Sequence, residues 1–147
     1  LLSYRNQETY NFYQADTELN SIGPFRSESY QSYQGEKLAA RFNAFSYYNL
    51  SQSMDSHQVG RGRGTVTSAL KKIKAKTHII GIRSDLLFTE KEQEFLAEYI
   101  PGASFNMIPS TYGHDGFLLE YDAISGIVLD FLEAETILQR SSLYIVH

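Results

Sequence analysis

Two short apolar runs, residues 77–82 (THIIGI) and 104–109 (SFNMIP), flank a segment punctuated like a helix, and this alternation restricts the fold more than any other feature of the chain. The β-branched run THIIGI suits a strand covered on both faces, as in a parallel sheet, and SFNMIP reads as a second strand. Between them, Thr89-Glu90-Lys91-Glu92 has the spacing of a capping box and Pro101-Gly102 is a stop, which predicts a helix over residues 90–99. After the second run, Leu118, Tyr121, Ile124, Ile127 and Phe131 recur on one face, so a long, well-buried helix is predicted over residues 117–138. Strand, helix, strand, helix with right-handed crossovers is the end of an α/β sheet. Two strands alone do not make a stable sheet of that kind.

The preceding half is patterned differently. Its first 34 residues are polar, rich in Tyr, Ser and Gln, broken at Gly23-Pro24, and read as short helices or loops. Leu38, Phe42, Phe45 and Tyr48 follow helical spacing and predict a helix over residues 35–53. GRGRG at residues 60–64 reads as a loop, because glycine loses the most backbone entropy in a helix, and a short helix over residues 66–73 follows. The chain opens on LLSYRN without an initiator methionine, as expected of a piece of something longer.

Composition excludes several classes of chemistry. With 42% hydrophobic residues, 11 Tyr and 9 Phe, the 147 residues can supply a core. Thirteen basic and 17 acidic side chains give a net charge of −4, which offers no field to gather nucleic acid or an anionic membrane surface. There is no cysteine, so disulfides, thiolate metal sites and a cysteine nucleophile are excluded for this chain, and a reducing compartment, the cytoplasm, is the expectation. No apolar run approaches the roughly 18 residues of a spanning helix, and no signal pattern stands at the N-terminus.

In open α/β sheets functional groups sit on loops beyond the carboxyl ends of the strands. Asp85 follows the first predicted strand by three residues and His114 follows the second by five, so both open onto one edge of the sheet. An acid holding one ring nitrogen of a histidine fixes its tautomer and leaves the other nitrogen to take a proton from a nucleophile. Taken singly, an aspartate after a strand is more often a turn residue and a loop histidine is often only solvated; their placement on successive strand ends makes the pair a catalytic candidate. His57 reads as a pocket-border candidate, His78 as packed within a strand and His147 as terminal. No Gly-x-Ser-x-Gly nucleophile elbow occurs in the sequence, and acid-then-histidine is the order of α/β-hydrolases, whose serine comes earlier in the chain. A serine upstream of residue 1 is therefore expected.

The stretches YQGEKLAARFNAFSYYNLSQSMDSHQVGRGRG, IGIRSDLLFTEKEQ, IPGA and YGHDGFLLE, in that order, closely resemble the C-terminal part of homoserine O-acetyltransferases, acyl-CoA-dependent enzymes of methionine biosynthesis. The resemblance covers nearly the whole chain. It implies an α/β fold, the last two parallel strands of an α/β-hydrolase with their helices, preceded by a helical lid. Residues 1–7 would end a core segment, residues 8–75 would form the lid roofing the active-site tunnel, and residues 76–147 would be the C-terminal core. It implies a ping-pong transfer from acetyl-CoA, a co-substrate and not a bound cofactor, through an acyl-serine to L-homoserine, and a homodimer formed through the lid. Asp85 matches the triad acid and His114 the general base and acid. Asp115 matches the residue receiving the amino group of homoserine, and Arg5 the arginine holding its carboxylate, to which a planar guanidinium can give two hydrogen bonds. Asn43 stands where aspartate is frequent in the family, and Thr65 where a glycine is common. Arg61 and Arg63 have three readings: contact with CoA phosphates, bracing of the loop through carbonyls, which is favoured, or solvation. Alternatives within the fold are serine O-acetyltransfer, homoserine O-succinyltransfer and ester hydrolysis; outside catalysis, a truncated module keeping the lid as an association surface. Without its serine, the chain alone is expected to be inactive.

Overall fold

The computed structural model describes residues 4–16, 23 and 25–143, with side chains described as far as Ala134. Residues 17–22, Pro24 of the expected Gly23-Pro24 break, and His147 lie outside the described residues. The chain divides into two compact units, Gln7–Ala69 and the combination of Leu1–Asn6 with Leu70–His147.

The first unit is helical. It contains α1 (Gln7–Gln14), α2 (Arg26–Arg41), α3 (Ala44–Asp55) and most of α4 (Val66–Leu70). The single helix expected over residues 35–53 is two helices, because Phe42 and Asn43 are extended and the Asn43 side chain accepts the Ser46 N–H at 2.8 Å. Asparagine competes with the backbone for such donors, which is why it starts helices more readily than it continues them. Neither α2 nor α3 has a buried residue. The Thr65 hydroxyl accepts the Ser68 N–H at 3.1 Å and starts α4, which gives way to a turn at Leu70 instead of reaching residue 73.

The second unit contains the sheet. Strands β1 (His78–Ile82) and β2 (Ser104–Ile108) pair in parallel, with His78 opposite Ser104 and Ile82 opposite Ile108. Helix α5 (Glu90–Tyr99) connects them. The Glu92 carboxylate reaches back to the Thr89 N–H at 2.9 Å and to its hydroxyl at 3.1 Å, as the capping spacing predicts. Pro101 and Gly102 then make a tight turn, with Gly102 at φ +69° and the Ala103 N–H on the Ile100 carbonyl. Ile79, Ile82, Ile100 and Ile108 are the buried apolar side chains around this layer.

The long C-terminal helix differs from expectation in two ways. It is interrupted at Glu120, whose ψ of 39° takes one residue out of helical geometry and separates α6 (Gly116–Leu119) from α7 (Tyr121–Leu143). It is also not well buried: Ile124, Ile127 and Phe131 are half-buried, while Leu129 is 58% and Leu132 54% exposed. Two strands present too narrow a surface to cover the broad apolar face that the sequence builds. No helix among the described residues is long and apolar enough to cross a membrane.

Candidate active site

The site is built where the two strands end. The Arg83 N–H bonds the Ile108 carbonyl, carrying the parallel ladder one residue beyond β1, and the chain then turns with the Asp85 N–H on the Ile82 carbonyl. Asp85 is held by its own loop: one carboxylate oxygen, Oδ1, accepts the N–H groups of Leu87 at 2.8 Å and Phe88 at 3.0 Å. The other, Oδ2, lies 2.8 Å from Nδ1 of His114. Burial alone would push the Asp85 carboxyl up; the Phe88 N–H, the His114 ring and the Leu87 N–H outweigh it and hold the carboxyl below the ordinary aspartate value. The acid therefore stays ionised although its side chain is only 6% exposed.

His114 sits in a short 3-10 turn, Gly113–Asp115, between β2 and α6. Gly113 takes φ +66°, and a Cβ there would lie 2.7 Å from the Asn6 nitrogen and 2.9 Å from the Tyr4 oxygen. Only glycine suits both the left-handed backbone and the close passage of residues 4–6. Gly116 allows a second close approach, since a Cβ on it would meet the Ile82 side chain at 2.8 Å. The imidazole is surrounded by the rings of Tyr4, Phe88 and Phe117, with centroids 5.2, 5.1 and 5.1 Å away. Nε2 makes no hydrogen bond among the described residues, yet it is not a buried orphan. The residue lines a cavity of about 240 Å³ whose apolar wall is Ile80, Ile82, Phe88 and Phe117.

This arrangement can do general acid–base chemistry. The ionised acid fixes the Nδ1–H tautomer and stabilises an imidazolium, while Nε2 can accept and return a proton. Asp115 and Arg5 also meet: the Arg5 Nε is 3.3 Å from the Asp115 Oδ2, with both side chains about 30% exposed. Arg61 and Arg63 lie in the other unit and bond carbonyls of their own loop, Ser56 at 2.6 Å and Val59 at 3.1 Å, which agrees with the bracing reading. His78 is packed as expected, its Nδ1 on the Ser104 hydroxyl and its ring 5.4 Å from Phe131, and His57 is exposed. Sequence reasoning missed the ring enclosure of His114. Phe88 and Phe117 each lie three residues from a candidate, which was the available signal; nothing in the sequence pointed to Tyr4.

No family model matches the chain. Among curated proteins it is 45% identical over 131 residues to the homoserine O-acetyltransferase of Cyclobacterium marinum, covering 89% of this chain and 37% of that protein. With the homoserine O-acetyltransferase of Chlorobium chlorochromatii the identity is 39% over 134 residues, 90% of this chain and 38% of that protein. By sequence the chain belongs to the homoserine O-acetyltransferase family. It spans about a third of the length of these relatives. A solved structure, esterase E22, superposes with a TM-score of 0.73 at 18% identity over 89% of this chain and 39% of the esterase. The fold is that of the C-terminal part of an α/β-hydrolase, an acyltransferase family member in sequence on a fold shared with esterases.

Proposed function

We propose that this chain supplies the acid and the base of a homoserine O-acetyltransferase, converting acetyl-CoA and L-homoserine to O-acetyl-L-homoserine and CoA in methionine biosynthesis in the cytoplasm. The observation that carries this reading is the 2.8 Å contact of Asp85 with His114 beside an apolar cavity, in a chain 45% identical to an enzyme of that name. The nucleophile is a serine from the portion of the fold beyond these 147 residues, so the chain alone does not turn over. His114 Nε2 takes the serine proton as the oxygen attacks the thioester and passes it to the departing CoA sulfur. It then takes the proton of the homoserine hydroxyl as that oxygen attacks the acyl-serine, and returns it to the serine. Asp85 stabilises the imidazolium at each stage.

Homoserine brings an ammonium and a carboxylate. Asp115 would receive the first and Arg5 the second, so substrate binding exchanges the internal Arg5–Asp115 pair for two external ones. Residues 8–75 serve as the family's lid and the surface for a second copy. In support, Phe45, Tyr47, Tyr48, Leu50 and Met54 of α3 are exposed, and a packed surface would take these large side chains out of water.

The test is a graft of this chain in place of the matching segment of the Cyclobacterium marinum enzyme. CoA release from acetyl-CoA should require homoserine. Dependence on serine instead, preference for succinyl-CoA, or release into water alone would each reject the proposed reaction in favour of another one on the same fold.

A further inference from the structure

The contact between acid and base has a second rung beside it. Ser84, immediately before Asp85, accepts the N–H of Gly113, immediately before His114, at 2.9 Å; Asp85 itself meets His114 at 2.8 Å. Both bonds join residues 29 apart in sequence, so two successive residues of the first loop hold two successive residues of the second. Gly113 is buried, and among the described residues its N–H meets the Ser84 hydroxyl as its acceptor. A buried N–H that loses its acceptor must find water or turn away, and either movement carries the adjoining histidine with it. Gly113 cannot absorb such a movement toward residues 4–6, whose backbone already lies within 2.9 Å of where a Cβ would stand.

We infer that Ser84 is a positioning residue for His114: its hydroxyl fixes the turn that presents Nδ1 to Asp85 and so sets where Nε2 points. This rests on Asp85 and His114 being the acid–base pair. Ser84 does not touch the reacting nitrogen; it restricts the angles at which the ring can meet the carboxylate. A hydroxyl one carbon from the backbone has the reach and the acceptor lone pair this needs, and threonine keeps both.

The experiment is NMR of the grafted enzyme, this chain in place of the matching segment, with 15N-labelled histidine, the His114 signals being assigned by their loss in His114→Gln. In the unaltered graft His114 should be one tautomer, with its proton on Nδ1 and that proton shifted far downfield by the carboxylate. Ser84→Ala should raise the minor Nε2–H tautomer several-fold and weaken the downfield signal, and Ser84→Thr should restore both. Ser110→Ala is the control: Ser110 also accepts a backbone N–H, that of Tyr112 at 3.1 Å, but within its own loop. An unchanged tautomer ratio in Ser84→Ala, or an equal change in Ser110→Ala, overturns the inference. Asp85→Asn separates it from the reading beneath it: if the downfield proton survives that change, the acid–base pairing fails, whereas its loss there with no response to Ser84→Ala rejects the role of Ser84 alone.

Discussion

Replacing Gly113 by alanine should damage the chain more than the same change at Gly102, although the two share a backbone conformation. Their φ values are +66° and +69°, so each alanine meets the left-handed penalty of about 1–2 kcal/mol for an L residue. At Gly102 nothing lies within 4 Å of the added Cβ, and that penalty is the whole expected cost. At Gly113 the Cβ would stand 2.7 Å from the Asn6 nitrogen, 2.9 Å from the Arg5 carbonyl carbon and 2.9 Å from the Tyr4 oxygen, all of them backbone. No side chain can swing aside, so the turn or the segment at residues 4–6 must move; overpacking of this kind costs about 1–3 kcal/mol. The expected totals are about 2–5 kcal/mol for Gly113→Ala and about 1–2 kcal/mol for Gly102→Ala. Any gain from a stiffer unfolded chain is common to both and cancels in the comparison. Urea unfolding followed by tyrosine fluorescence, run side by side on the two variants, measures the difference. Equal midpoints would refute the close passage of residues 4–6 over the histidine turn.

Three further outcomes follow from the same contacts. The Asp85 carboxyl titrates lower in the folded chain than in the unfolded one, so its stabilising contribution is present above about pH 3.9 and is lost as pH falls through the depressed folded value; acid unfolding of Asp85→Asn compared with the unaltered chain should show this slope only in the latter. Asp115→Ala in the grafted enzyme should raise the homoserine concentration needed for half-maximal rate at least tenfold while acylation of the serine, read as a burst of CoA, is unchanged; an unchanged homoserine dependence counts against its role. Asn43→Ala should cost about 1 kcal/mol by removing the cap of α3, read as a lower thermal midpoint, and Asn43→Asp should retain most of it.

The parts of the fold legible in the sequence were those where one local rule dominates. Thr89 and Glu92 mark the start of α5 because their bonds span three residues, and Pro101-Gly102 marks its end because the turn needs a positive φ. Asn43 was misread because a phenylalanine on each side kept the helical spacing while its side chain took the N–H that a continuing helix leaves to the backbone. The burial of α7 was misjudged for a different reason: an apolar face shows in the sequence, but the surface available to cover it does not. At the site, Asp85 and His114 could be paired because strand ends bring their loops together, whatever the details of packing. The Arg5–Asp115 pair, the Tyr4 ring and the Ser84–Gly113 bond depend on how distant segments pass one another, and no spacing rule announces them.

The most direct measurement is acetyl transfer from acetyl-CoA to L-homoserine by the grafted enzyme, with and without His114→Ala, following O-acetylhomoserine by mass spectrometry. Product formed with His114 and reduced by on the order of 10³-fold or more without it is the predicted result, because both half-reactions pass their proton through this ring. Product formed at the same rate by His114→Ala would contradict the assignment of the base, and with it the function proposed for this chain.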